Sequence, residues 1–562
     1  MGLGSGGLAG PGTRPGGPGM DPTGRWSART ARCGGPERDG ELGASDEEDG
    51  GMTGTSAATR GGRPGRRPGA RRALAPLLAL ALASPAAAQQ GSAPRSRASA
   101  AATITASDLR RGIGVLASDS MRGRDTPSPE LTEAARWVAG RFRAFGLRPG
   151  LGNSFLQYYP VTVIEAGRPE SQRLVLIGPT GRDTLRSGQE FVGAPTGSHL
   201  GGEGPLRRFD PDSGGQVPAG SIMLVEARPA TMQSVFASVR RALREGAAEG
   251  ALIVVDAPES YFRGLRTFFG TRRVSIGEPD LTGEPVALVA AGALPDGLRE
   301  PLASGQGLPY GWSADLETDG TVGADSAMNV IGWLPGSDPD LRGQYVLFTA
   351  HMDRPGVGRA VDGDSSHDGA DDDASGTATL VELAEAFAAA PSPPRRSLVF
   401  MAVSGQAKGL LGSTWYTAHP VFPLERTVAD IDIDMIGRNR PDTVVAIGKA
   451  ASSLGSAVDG VARRHPELRL SVIDDPWPEQ DFYSRSDHYK FARAGVPILF
   501  FFGGVHEDDH GPSDEAGGIE YDTTARIGRL IYYLGRRVAD ADGIPEWDPD
   551  AYDRVVRGSG SR

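Results

Sequence analysis

One cysteine, Cys33, occurs in the 562 residues, and it lies in the N-terminal tail. The remainder has no thiol, which excludes disulfides, thiolate metal sites and a cysteine nucleophile there. Any metal must be held by His, Asp and Glu. Histidine is scarce as well, at 8 residues, so histidines that recur in one kind of setting carry weight. The apolar run at residues 73–83 (ALAPLLALALA) is too short for a membrane-spanning helix, which needs about 20 apolar residues. Positive charge is in deficit: the net charge is -11, and residues 1–88 hold 11 Arg against 8 acidic residues, leaving -14 on the rest. Nucleic acid is excluded as the main partner, because phosphate binding needs clustered positive charge. Most of this acidity serves solubility.

What is present begins with a leader. Residues 1–65 are rich in Gly, Pro and Arg, without an apolar period, and cannot build a core. Arg66, Arg67, Arg71 and Arg72 then precede the apolar run, and SPAAAQQ supplies small residues suited to cleavage after Ala88. Residues 66–88 read as a signal peptide, with translation expected to start nearer Met52 and the protein exported to the periplasm or beyond. No membrane span is expected after its removal.

A Ser/Ala-rich linker occupies residues 89–102, and the chain then turns periodic. Residues 128–147 place Ala135, Val138, Ala139, Phe142 and Phe145 on one helical face, closed by Gly146. FLQYYPVTVIEA and LVLIGP read as strands. Between residues 191 and 318 Gly, Pro and short strands dominate, around one strand–helix–strand passage, SIMLVEA, 231–249 and ALIVVDA. This reads as a smaller β-rich insertion between a first part, 103–190, and a main part, 319–541, with a frayed tail at 542–562. In the main part NVIGWLPG, YVLFTAHMD, SLVFMAVSG, VADIDIDMIG and VPILFFFGG alternate with helical segments at 376–389, 411–418, 453–465, 487–494 and 523–540. The expected fold is α/β: a mixed, largely parallel sheet with helices on both faces.

Polar residues collect at the C-terminal ends of these strands, the edge where open α/β sheets bind ligands. His351 and Asp353 follow YVLFTA, GADDDASG opens the next helix, Asp434 ends VADIDID, and His510 lies beyond VPILFFFGG. One histidine at a strand end is usually structural. Four such positions together suit zinc, with a carboxylate bridging two ions in co-catalytic pairs.

HMDRPGVG, GADDDASG, SGQAKGLLGS, IDIDMIGR, SDHYKFARAGVP and HEDDHGPSD, in this order, resemble family 28 of the metallopeptidases, which holds di-zinc aminopeptidases and glutamate carboxypeptidase relatives. The insertion resembles the protease-associated domain of many members. The resemblance implies a zinc exopeptidase fold and hydrolysis of N-terminal residues from peptides. It makes His351 a ligand of one zinc, Asp353 the carboxylate that orients it, Asp372 the bridge, Asp434 the remaining ligand of the first ion and His510 a ligand of the second. Asp371 and Asp373 compete with Asp372 inside the acidic run, whose bland role is capping the helix behind it.

Two departures bear on activity. Where the family reads SGEE this chain reads SGQA. Gln406 stands at the general base and Ala407 at a ligand of the second zinc. A neutral amide takes no proton from water, and an alanine has no donor atom. One zinc is therefore expected in place of the family's two, and turnover weak or absent. His367 and Asp509 are candidates for a replacement ligand or base. The alternatives are a non-catalytic member that binds peptides or a protein partner, and an active enzyme with a relocated carboxylate. A glutaminyl-cyclase-like enzyme fits worse, since such relatives use the ion that Ala407 weakens.

Overall fold

The structure is a computed structural model and describes residues 100–558 apart from 196, 213–216, 247 and 278–283. The leader at 1–65, the signal segment at 66–88 and all but the last residues of the linker fall outside the described residues. Among the described residues, no helix is long and apolar enough to cross a membrane.

Nine strands form the main path of a ten-stranded sheet: β1 (Leu156–Ala166), β2 (Arg273–Ile276), β3 (Gly320–Leu334), β4 (Tyr345–His351), β5 (Ser397–Val403), β6 (Thr427–Asp434), β7 (Thr443–Ile447), β8 (Ser471–Ile473) and β9 (Ile498–Phe502). Their spatial order is β8-β7-β9-β6-β4-β5-β3-β1-β2, and the short strand Arg148–Pro149 pairs with β3. The centre is parallel, β5 and β6 flanking β4 and β9 running beside β6. The β3, β1 and β2 side is antiparallel, as is the β7–β9 pair. Apolar β-branched and aromatic runs become central strands because both of their faces can be buried.

The helices are α1 (Ala106–Leu116), α2 (Pro129–Ala144), α3 (Gly376–Ala388), α4 (Leu411–Ala418), α5 (Leu454–Arg464), α6 (His488–Arg493), α7 (Tyr521–Asp540) and α8 (Pro549–Val555). They divide between the two faces of the sheet. Val346, Phe348 and Ala350 of β4 pack with residues of α2, α3, α5 and α7, whereas Leu347 turns to the other side, with Tyr416 of α4 and Phe491 of α6. That alternation is the two-residue period of a strand sandwiched between helices. α2 begins where Ser128 accepts from the Leu131 amide and Pro129 fills the first turn. It buries Leu131, Ala134, Ala135, Val138, Ala139 and Phe142, and Gly146 follows with a φ of 80°.

A second sheet of eight strands lies between β1 and β3 in sequence. It differs from expectation at its boundary. Arg173–Gly178 and Gly181–Leu185 pair within it, so it begins well before residue 191. Met232–Arg244 and Glu259–Gly270 cover one of its faces and Asp296–Ala303 the other, so this part is α/β in character. It also returns a strand to the main sheet, because β2 pairs with β1.

The C-terminal segment is not a frayed tail. Asp548 accepts from the Ala551 amide, Pro549 opens α8, and Trp547 Nε1 donates to the Gly495 carbonyl at 2.9 Å. An Asp-Pro pair is a helix-start signal that the acidic composition concealed.

Candidate metal centre

The chemistry sits at the C-terminal edge of β4 and β6, two neighbouring parallel strands that end on His351 and Asp434. His351 is 1% exposed. Its Nε2 lies 3.1 Å from Asp372 Oδ1 and 3.5 Å from Asp434 Oδ1. None of these three buried atoms has a hydrogen-bond partner. Buried polar atoms are normally paired, because an unpaired one forfeits its solvation. One imidazole nitrogen and two carboxylate oxygens, converging without partners, are a donor set that could hold a metal ion, and their chemistry suits zinc.

Other contacts fix the free lone pairs in place. His351 Nδ1 lies 3.2 Å from the Asp353 carbonyl oxygen, an acceptor that puts the ring proton on Nδ1 and leaves Nε2 open. The Asp353 carboxylate, expected to perform this task, is 3.9 Å away. Its oxygens accept instead from Thr126 Oγ1 at 3.0 Å and the Gln406 amide at 3.2 Å. Asp434 uses its second oxygen to accept from Ser486 Oγ at 2.9 Å.

The acidic run resolves residue by residue. Asp371 Oδ1 accepts from the Gly437 amide at 2.6 Å, and its Oδ2 faces His506 Nε2 at 3.3 Å. Asp373 accepts from the amides of His351 (3.1 Å), Gly376 (2.9 Å) and Met435 (3.2 Å). Asp373 spends both oxygens on the backbone and Asp371 divides its two between the Gly437 amide and His506, so Asp372 alone of the three faces both His351 and Asp434. Asp514 shapes the turn by accepting from the amides of Asp371 and Asp372 at 3.0–3.1 Å.

Electrostatics follow burial and neighbours. Burial opposes charge on His351, but the neighbouring carboxylates of Asp434, Asp372 and Asp373 outweigh it and raise its pKa well above the usual value. Burial pushes Asp372 up, yet Arg354, then His351 and His510, hold it below the ordinary carboxylate range. Asp373 is raised, first by burial and then by Asp434.

The second oxygen of Asp372 faces a different group. His510 Nε2 lies 3.5 Å from Asp372 Oδ2 and 3.7 Å from Asp509 Oδ1, and these three residues form a second candidate donor set. Of the two residues considered as replacement ligands, Asp509 lies in this set. His367 does not. Its Nδ1 lies 3.1 Å from the carbonyl oxygen of His510, so it braces the loop, not the ion. Ala407 is exposed, and Gln406 reaches the centre through its backbone amide.

Sequence reasoning passed over Arg354. It is 1% exposed, and its Nη1 contacts Asp372 Oδ2 directly. The signal was in plain view, a charged residue immediately after the HMD whose His351 ends β4. Thr126, Ser486 and Asp514 were also missed. Ser486 and Asp514 stood inside recognised motifs without a role, whereas Thr126 is brought to Asp353 only by the fold.

Residues 329–535 match the family model described as Peptidase family M28. A probable zinc metalloprotease of Pyrenophora tritici-repentis is 27% identical over 259 residues, covering 39% of this chain and 52% of that protein. Leupeptin-inactivating enzyme 1 of Streptomyces exfoliatus is 28% identical over 196 residues, covering 35% and 40%. The chain thus spans about half the length, or less, of these relatives. Among solved structures, an aminopeptidase from Aneurinibacillus sp. strain AM-1 superposes with a TM-score of 0.51 at 19% identity, over 80% of this chain and 98% of that one. That likeness is one of fold.

Proposed function

From the match of residues 329–535 to the model of Peptidase family M28, we propose that this chain holds one zinc ion at His351, Asp372 and Asp434, and that its aminopeptidase-type hydrolysis is severely weakened. The observation that carries the reading is the lack of a carboxylate at positions 406 and 407 beside an otherwise complete donor set. When bound, zinc supplies Lewis acidity and lowers the pKa of water. The chain's own residues supply the rest. Asp353 fixes the tautomer of His351 through its carbonyl, Ser486 orients Asp434, and Asp514 shapes the turn that carries Asp372. No group at 406 takes the proton that an attacking water must give up. Loss of a positioned base lowers rate by about 10²–10⁴.

A peptide N-terminus, or a protein that presents one, is the proposed occupant of the cleft. The inserted part that carries the second sheet, from Arg173 to Thr318, is proposed as a protease-associated-like module. Arg66 to Ala88 supports export to the periplasm or beyond.

A second reading has its own observation. Asp509 Oδ1 is buried without a hydrogen-bond partner and belongs to the second donor set, so a relocated carboxylate is at hand. Burial raises its pKa above the usual carboxylate value, followed by the opposing effect of His510 and the raising effect of Asp372.

The test is residue release from a panel of aminoacyl-nitroanilides by the zinc-loaded protein and its Asp509→Asn and His351→Ala variants. The proposal expects release within a few-fold of His351→Ala. Turnover at ordinary peptidase rates contradicts it, and a loss of that turnover in Asp509→Asn installs the second reading.

A further inference from the structure

With Asp509 included, the second donor set offers three protein ligands, the number usual for a catalytic zinc. Ligand count alone therefore does not keep a second ion out, but Arg354 stands at the same group. Its Nη1 rests on Asp372 Oδ2, the oxygen turned away from His351 and Asp434 and toward His510. In two-metal sites the bridging carboxylate gives one oxygen to each ion, about 3.5–4 Å apart. Here the guanidinium has taken the second oxygen.

Resting on the one-ion reading above, we propose that Arg354 is a built-in replacement for the second metal ion. It closes the Asp372–Asp509–His510 group to divalent cations, and removing its charge opens a zinc site there. Two observations support the assignment. Arg354 is buried, and its Nε and Nη2 have no hydrogen-bond partner, nor has Asp509 Oδ1 on the other side of the group. The side chain lies in a cradle: a Cβ at Gly369 would overlap Arg354 Cγ and Cδ, and Gly369 has a φ of 58° that disfavours any other residue. A zinc ion would need about 2.0–2.2 Å to Asp372 Oδ2, which puts it against that fixed cation.

The experiment is zinc per chain, measured by elemental analysis on the full protein after equilibration in micromolar free zinc, with circular dichroism to show folding. Wild type and Arg354→Lys are expected to hold one ion, Arg354→Met two, and Arg354→Met with Asp509→Asn one again. Arg354→Gln serves if the Met variant does not fold. One ion in every neutral variant, with one in wild type, overturns this inference and leaves the one-ion reading standing. Two ions in wild type overturn both.

Discussion

Whether a residue serves the metal or the scaffold is decided here by where each lone pair goes. Asp371, Asp372 and Asp373 are adjacent and chemically identical, yet only Asp372 keeps an oxygen toward both His351 and Asp434. The sequence left the three open, since capping and ligation use the same side chain. Around them, Thr126 is the residue whose loss isolates one support. Its hydroxyl donates to Asp353 Oδ2 and accepts from the Gly405 amide at 3.1 Å, so it ties the carbonyl beside His351 to the loop of Gln406. Removing partners of this kind lowers metal affinity by about 10–100-fold. Thr126→Val should weaken zinc binding by that factor in a chelator competition while the thermal midpoint shifts little. Unchanged affinity would show that Asp353 needs no such support.

Among the elements, α3 carries a second titratable feature away from the centre. Glu382 is 4% exposed, with one oxygen unpartnered, and burial, aided by the charge of Glu385, pushes its pKa up to about 7. The folded value lies above the ordinary 4.5. Protonated Glu382 therefore contributes stability that is full below about pH 4.5 and lost as the pH rises toward 7, about 3 kcal/mol for a shift of this size. Glu382→Gln should remove that slope and leave the variant more stable than wild type at pH 8, as read by urea unfolding at pH 5 and pH 8. Parallel curves would show that Glu382 is ionised in the fold.

The elements were also where the sequence spoke most clearly. Each helix expected in the main part appears within about two residues at either end, because both faces of the alternating strands demand cover. The boundary of the second sheet was less legible. LVLIGP has the apolar run of any strand, and its antiparallel partner Ser313–Thr318 lies more than a hundred residues away.

Across the whole molecule, the inserted part is stitched to the centre by side chains as well as by β2. Arg272, directly before β2, contacts Asp125 and donates to the carbonyls of Thr126 and Pro127, and Lys408 Nζ lies 2.8 Å from Asp125. The loop that supports Asp353 is therefore held from both sides. Sequence motifs could not show this, because Arg272, Asp125 and Lys408 belong to three distant segments. They could show the donor set and its missing carboxylates, since those residues are fixed by the strand ends.

The account stands on the claim that the scaffold is intact and a proton acceptor is missing. Gln406→Glu restores that single group, and kcat/KM on the aminoacyl-nitroanilide panel reads its effect. The account predicts a rise of about 10²–10⁴ over wild type. Equal values for the two proteins, with zinc bound in both, would contradict it.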